Sequence, residues 1–78
     1  MYDYNIASEY NMEIFEKVCQ KIESNIIDLK KDALLFDVDT SAIQNYYNHS
    51  IKIQVFCDIE VDAVWVESGI ELPFLNDI

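Results

Sequence analysis

The stretch Ile51-Lys52-Ile53-Gln54-Val55-Phe56-Cys57-Asp58-Ile59-Glu60-Val61-Asp62-Ala63-Val64-Trp65-Val66 decides how this chain is read. Ile51, Ile53, Val55, Cys57, Ile59, Val61, Ala63 and Trp65 fall on one parity, and Lys52, Gln54, Phe56, Asp58, Glu60 and Asp62 on the other. Successive side chains of a strand point to opposite faces, so this alternation predicts one long strand over 51–66 with a single buried face. No glycine or proline interrupts it. Such a strand exceeds the usual span of roughly 3–10 residues, so a bend or bulge is expected inside it.

Toward the C-terminus, Ser68-Gly69 supplies turn residues. Ile70-Glu71-Leu72 can then fold back as a short hairpin strand over 70–72, stopped by Pro73. Phe74 to Ile78 reads as a loosely held tail. Toward the N-terminus, Ala33-Leu34-Leu35-Phe36-Asp37-Val38 predicts a strand over 33–38, closed by the turn residues Asp39, Thr40 and Ser41. Residues 42–50, with Ile43, Tyr46 and Tyr47, fit either a strand or one helical turn.

Residues 9–30 carry the other period. Ile14, Phe15, Val18, Cys19, Ile22, Ile26 and Leu29 recur at spacings of three and four, the apolar stripe of an amphipathic helix. Ser8 is the candidate N-cap, Glu9 and Glu13 suit the positive end of the helix dipole, and Lys30 and Lys31 suit the negative end. Residues 1–8 read as a tyrosine-bearing arm. The expected architecture is one α+β domain over 1–78, with a helix lying on a small antiparallel sheet of about three strands.

Composition narrows the function. Fifteen acidic residues face five basic ones for a formal net charge of −10, and every basic residue is a lysine. Arginine is the preferred residue for bidentate contacts to phosphate and base edges. Its absence, with this charge, argues against direct binding of nucleic acid or an anionic membrane. A basic protein surface is the expected partner. On the predicted strand, Asp58, Glu60 and Asp62 would project as a ridge of carboxylates roughly 6–7 Å apart. Phe56 shares their face as an aromatic anchor, and Glu67 and Glu71 extend the charge. The bland reading of the same row is the ordinary polar face of a half-exposed sheet. One helix is little cover for a sheet containing so long a strand, which makes a self-associating structural or adaptor protein the alternative, a homodimer through a strand edge or the apolar face with Phe56 or Trp65 in the contact.

Catalytic and metal chemistry find little support. Cys19 and Cys57 occupy apolar positions and read as buried free thiols, in keeping with a cytoplasmic location. His49 is the only histidine and lies in a polar stretch, so no zinc pattern arises. Asp37-Val38-Asp39 lacks the glycine turn of a calcium loop. A single glycine, Gly69, leaves no phosphate-cradling loop. The chain is expected to be non-enzymatic and to need no cofactor.

The segment Cys57-Asp58-Ile59-Glu60-Val61-Asp62-Ala63-Val64-Trp65, followed by Glu67-Ser68-Gly69 and Ile70-Glu71-Leu72-Pro73, resembles the C-terminal strand and hairpin of small phage-encoded accessory proteins. In size, acidity and lack of arginine the chain is also similar to phage DNA-mimic and anti-CRISPR proteins. That resemblance implies an inhibitor that occupies the nucleic-acid site of a nuclease or restriction complex in a host's defence. It carries over no individual functional residue.

Overall fold

The computed structural model describes residues 1–77 and divides the long alternating stretch into a hairpin. β5 (Lys52–Asp58) and β6 (Ala63–Ser68) pair antiparallel, with Val55 opposite Val66 and Phe56 opposite Trp65. The turn between them needs no glycine because Asp58 builds it. Its Oδ1 accepts hydrogen bonds from the backbone N–H of Glu60 at 2.9 Å and of Val61 at 3.0 Å. The Asp62 N–H closes the loop onto the Asp58 carbonyl at 2.9 Å. Asp62 takes the left-handed conformation, φ 60°, which aspartate tolerates better than most residues.

This turn reverses the inward parity. Ile53, Val55 and Cys57 point into the core from β5, whereas Val64, Val66 and Ser68 do so from β6. Ile59 and Val61, assigned by alternation to the buried face, are exposed, and Trp65 lies on the face opposite the core. Asp58 therefore ends β5 while Glu60 and Asp62 lie in the turn, and the three do not form a ridge along a strand.

The remaining elements are β1 (Tyr2–Ala7), α1 (Met12–Asn25), β2 (Lys30–Lys31), β3 (Leu35–Phe36), β4 (Ala42–Tyr47) and a closing 3-10 turn at Pro73–Asp77. The strands form one six-stranded antiparallel sheet in the order β1-β6-β5-β4-β2, with β3 also on β4. The α+β class and the helix-on-sheet arrangement stand, but the sheet has twice the strands expected. The N-terminal arm is a sheet edge, Tyr2 lying opposite Ser68 and Tyr4 opposite Val66. Only Leu35–Phe36 of the 33–38 segment is strand. Residues 42–47 are extended, and their inward positions are Ala42, Gln44 and Tyr46. Gln44 obscures that periodicity in the sequence. It is buried because its Nε2 donates to the carbonyls of Asp32 (2.6 Å) and Asn45 (3.2 Å).

The helix is shorter than 9–30 at both ends. Asn11, not Ser8, is the N-cap, its Oδ1 accepting from the Ile14 N–H at 3.0 Å. The chain becomes extended at Ile26 and passes through a left-handed Asp28 before β2. Phe15, Val18, Cys19 and Ile22 are the buried stripe. Burial of each large apolar side chain contributes about 1.5–3 kcal/mol. Ile70–Leu72 forms no strand. Leu72 instead plugs the core, and its N–H donates to the Tyr4 hydroxyl at 2.6 Å. Leu75, in the tail read as loose, is also buried. Ile78, the end of that tail, lies outside the described residues. No helix among the described residues is long and apolar enough to cross a membrane.

Candidate partner-binding face

Helix α1, Leu72 and Leu75 close one face of the sheet. None of the described elements packs on the other. Strand register lays the side chains of that open face out in transverse rows. Leu35 lies opposite Ile43, Ile43 opposite Phe56, Phe56 opposite Trp65, and Trp65 opposite Asn5. Four strands thus bring Leu35, Ile43, Phe56 and Trp65 into one apolar row. Phe56 and Trp65 stack with ring centroids 4.8 Å apart and planes 8° from parallel. The next row is polar: Asn45, Gln54, Glu67 and Asp3. Gln54 Nε2 donates to Asn45 Oδ1 at 2.9 Å, and Trp65 Nε1 donates to Glu67 at 3.0 Å. The furthest row holds Lys30, Tyr47 and Lys52.

On its other side the apolar row borders an acidic pole. The segment after β1, the β3–β4 turn and the β5–β6 turn all gather at this end of the sheet. Three contacts tie them together. Tyr10 N–H donates to Asp62 Oδ1 at 2.7 Å, the Tyr10 hydroxyl donates to the Thr40 carbonyl at 3.0 Å, and Ile59 N–H donates to Ser41 Oγ at 3.0 Å. Glu9, Asp37, Asp39, Asp58, Glu60 and Asp62 stand in these segments, and no lysine does. Several of the carboxylates also shape the backbone, as Asp39 does by accepting from the Ser41 N–H at 3.0 Å. Among the described residues no group of three or more histidine, cysteine, aspartate or glutamate side chains could hold a metal ion.

The expected site residues scatter unevenly over this surface. Phe56 and Glu67 lie on the open face, and Asp58, Glu60 and Asp62 border it through the turn. Glu71 is exposed beyond the other end of β6, away from them. The acidic-face reading of the sequence left out Trp65, Ile43, Leu35 and Asp3. Trp65 was concealed by the parity reversal at the Asp58 turn, and the other three lie on strands whose length or pairing was not evident.

On the helix side of the sheet, Glu23 Oε2 accepts from the Tyr46 hydroxyl at 2.5 Å and meets Lys31 Nζ at 3.1 Å. The Tyr46 hydrogen bond, helped by Lys31, holds the Glu23 carboxyl below its ordinary value. Burial first, and then Glu23, push the Tyr46 phenol up. Burial likewise raises both cysteine thiols, Cys19 and Cys57, which are unpaired. A thiol held in its neutral form is a poor nucleophile, so this cluster reads as a clamp between α1, β2 and β4.

No family model matches this chain, and neither a curated protein nor a solved structure is similar to it.

Proposed function

We propose that the protein is a non-enzymatic binding module whose open sheet face docks on a basic surface of another protein. The observation that carries this is the row Leu35, Ile43, Phe56 and Trp65, in which Leu35 is exposed and the other three are half-buried by their neighbours, bordered by carboxylates. Aromatic residues at the centre of a polar rim are the composition of an interface core. The net charge of −10 favours a cationic partner and disfavours a second copy of equal charge. Proteins that handle nucleic acids present such cationic surfaces, which keeps inhibition of a defence nuclease within this reading. The charge would come from the acidic pole, with Asp3 and Glu67 on the face, and not from a strand-borne ridge.

The test is affinity capture from a host lysate at low salt, with three baits: wild type, Phe56→Ala/Trp65→Ala, and Asp39→Asn/Asp58→Asn/Glu60→Gln. A basic protein retained by wild type and lost by both variants supports the reading. Capture that is unaffected by the aromatic substitutions, or by raising salt, rejects it.

A further inference from the structure

We infer that the β3 edge accepts an added strand from the partner, an extended segment whose cationic side chains flank apolar ones. This rests on the partner-binding reading above and specifies how the partner engages.

The sheet has two edges, and most of their length is defended against pairing. β1 carries a register irregularity between Asn5 and Ala7. β2 is Lys30–Lys31, and lysines on an edge oppose further strands. β3 carries no lysine, although it is two residues long and the register on β4 shifts by one residue between β2 and β3. Its Leu35 is 54% exposed and its Phe36 62% exposed, on opposite faces of the sheet, and Val38 just beyond is fully exposed at 101%. Leu34, 40% exposed, completes an apolar run that a monomer in water gains nothing by displaying.

The backbone is set for pairing at Phe36. The Asp37 N–H donates to the Ser41 carbonyl at 2.9 Å, and the register continues through Phe36 opposite Ala42 to Leu35 opposite Ile43. In an antiparallel ladder, hydrogen-bonded and non-hydrogen-bonded pairs alternate. If 37 faces 41 in a bonded pair, Phe36 and Ala42 are a non-bonded pair, and the N–H and C=O of Phe36 point away from β4 to the open edge. A strand laid there would bond to Phe36 and pack side chains on Leu35 on one face and Phe36 on the other. On the open face Leu35 is continuous with Ile43, Phe56 and Trp65, so the added strand would extend the same apolar row.

Charge selects the occupant. Asp32, Asp37 and Asp39 flank the β3 segment, and Lys30 and Lys31 stand further along the same edge on β2. Two copies meeting edge to edge would set net charges of −10 against one another, whereas lysine or arginine on an incoming strand confined to β3 would meet Asp32, Asp37 and Asp39. Main-chain bonds supplying affinity, with side chains supplying specificity, is the usual mode of strand addition.

The experiment uses fluorescent peptides and the full chain at low salt. One peptide alternates lysine and valine, a second is the same peptide N-methylated at every residue, and a third alternates glutamate and valine. The expected result is binding of the first only, weakened about tenfold by Phe36→Pro, with slowed amide exchange at Phe36 on binding. If Phe36→Pro fails to fold, the N-methylated peptide makes the same test from the ligand side. Equal binding of the N-methylated peptide overturns strand addition, and equal binding of the glutamate peptide overturns the charge selection. Failure of the lysine peptide to bind, or a homodimer that buries this edge, also overturns the inference. Binding that survives Phe36→Pro but is lost in Trp65→Ala overturns the edge while leaving the open-face reading intact.

Discussion

Phe56 and Trp65 face one another across β5 and β6 as a stacked pair, centroids 4.8 Å apart, on the side of the sheet away from the core. Stacking of this kind is worth about 0.5–1.5 kcal/mol beyond area burial. A double-mutant cycle with Phe56→Ala and Trp65→Ala should return a coupling energy of that size in urea unfolding. Because the pair lies outside the core, each variant should remain folded while losing the partner. Loss of folding in either single variant would show that the pair is structural and not an anchor.

The Asp58 turn offers a cleaner separation of fold from charge. Asp58→Asn keeps an Oδ1 that can accept from the Glu60 and Val61 N–H groups, so stability should change little. Asp58→Ala removes the acceptor for two backbone donors and should cost about 1–3 kcal/mol. Glu60→Gln, at an exposed turn position, should be nearly neutral. Denaturant midpoints for the three variants decide this. If Asp58→Asn is as destabilised as Asp58→Ala, the carboxylate charge and not its acceptor geometry holds the turn.

That turn also marks where the sequence stopped being legible. Residues 51–66 alternate without interruption, and no glycine announces a reversal, because Asp58 and Asp62 together do what an Asn-Gly pair commonly does. Hydrophobic Ile59 and Val61 preserve the apparent parity although both are exposed. Elsewhere the helix stripe Phe15, Val18, Cys19 and Ile22 was readable because packing on one face enforces its spacing. Its ends were not, since Ser8 and Asn11 are both good caps and only the path of β1 chooses between them. β4 was ambiguous because a buried Gln44 interrupts its apolar alternation, and its hydrogen bonds to Asp32 and Asn45 are tertiary facts. The apolar row on the open face depends on cross-strand register, which no single segment encodes.

The N-cap assignment is directly testable. Asn11→Ala should destabilise the protein by about 0.5–2 kcal/mol, because the Ile14 N–H loses its side-chain acceptor. Ser8→Ala should leave stability within about 0.5 kcal/mol, since Ser8 is exposed and precedes the cap by three residues. Thermal unfolding of the two variants side by side makes the comparison. The reverse order would place the helix start where the sequence alone first suggested.

The Glu23, Tyr46 and Lys31 clamp sets the pH response. Glu23 has its carboxyl held down, chiefly by the Tyr46 hydroxyl, so its contribution is present above the ordinary value of 4.5 and is lost as pH falls through the lower folded value. Tyr46 and both cysteines are shifted the other way. Their contributions are complete below the ordinary values of 10.0 and 9.0 and are lost as pH rises from there toward the raised folded values. Stability measured by urea unfolding should therefore hold level between about pH 6 and 8, and decline from about pH 9 upward and below about pH 4.5. Tyr46→Phe should flatten part of the alkaline decline and part of the acid one together, because one hydrogen bond underlies both. Glu23→Gln should flatten the acid limb while leaving the cysteine share of the alkaline limb in place. If neither substitution alters the slope on either side, the clamp does not couple protonation to folding.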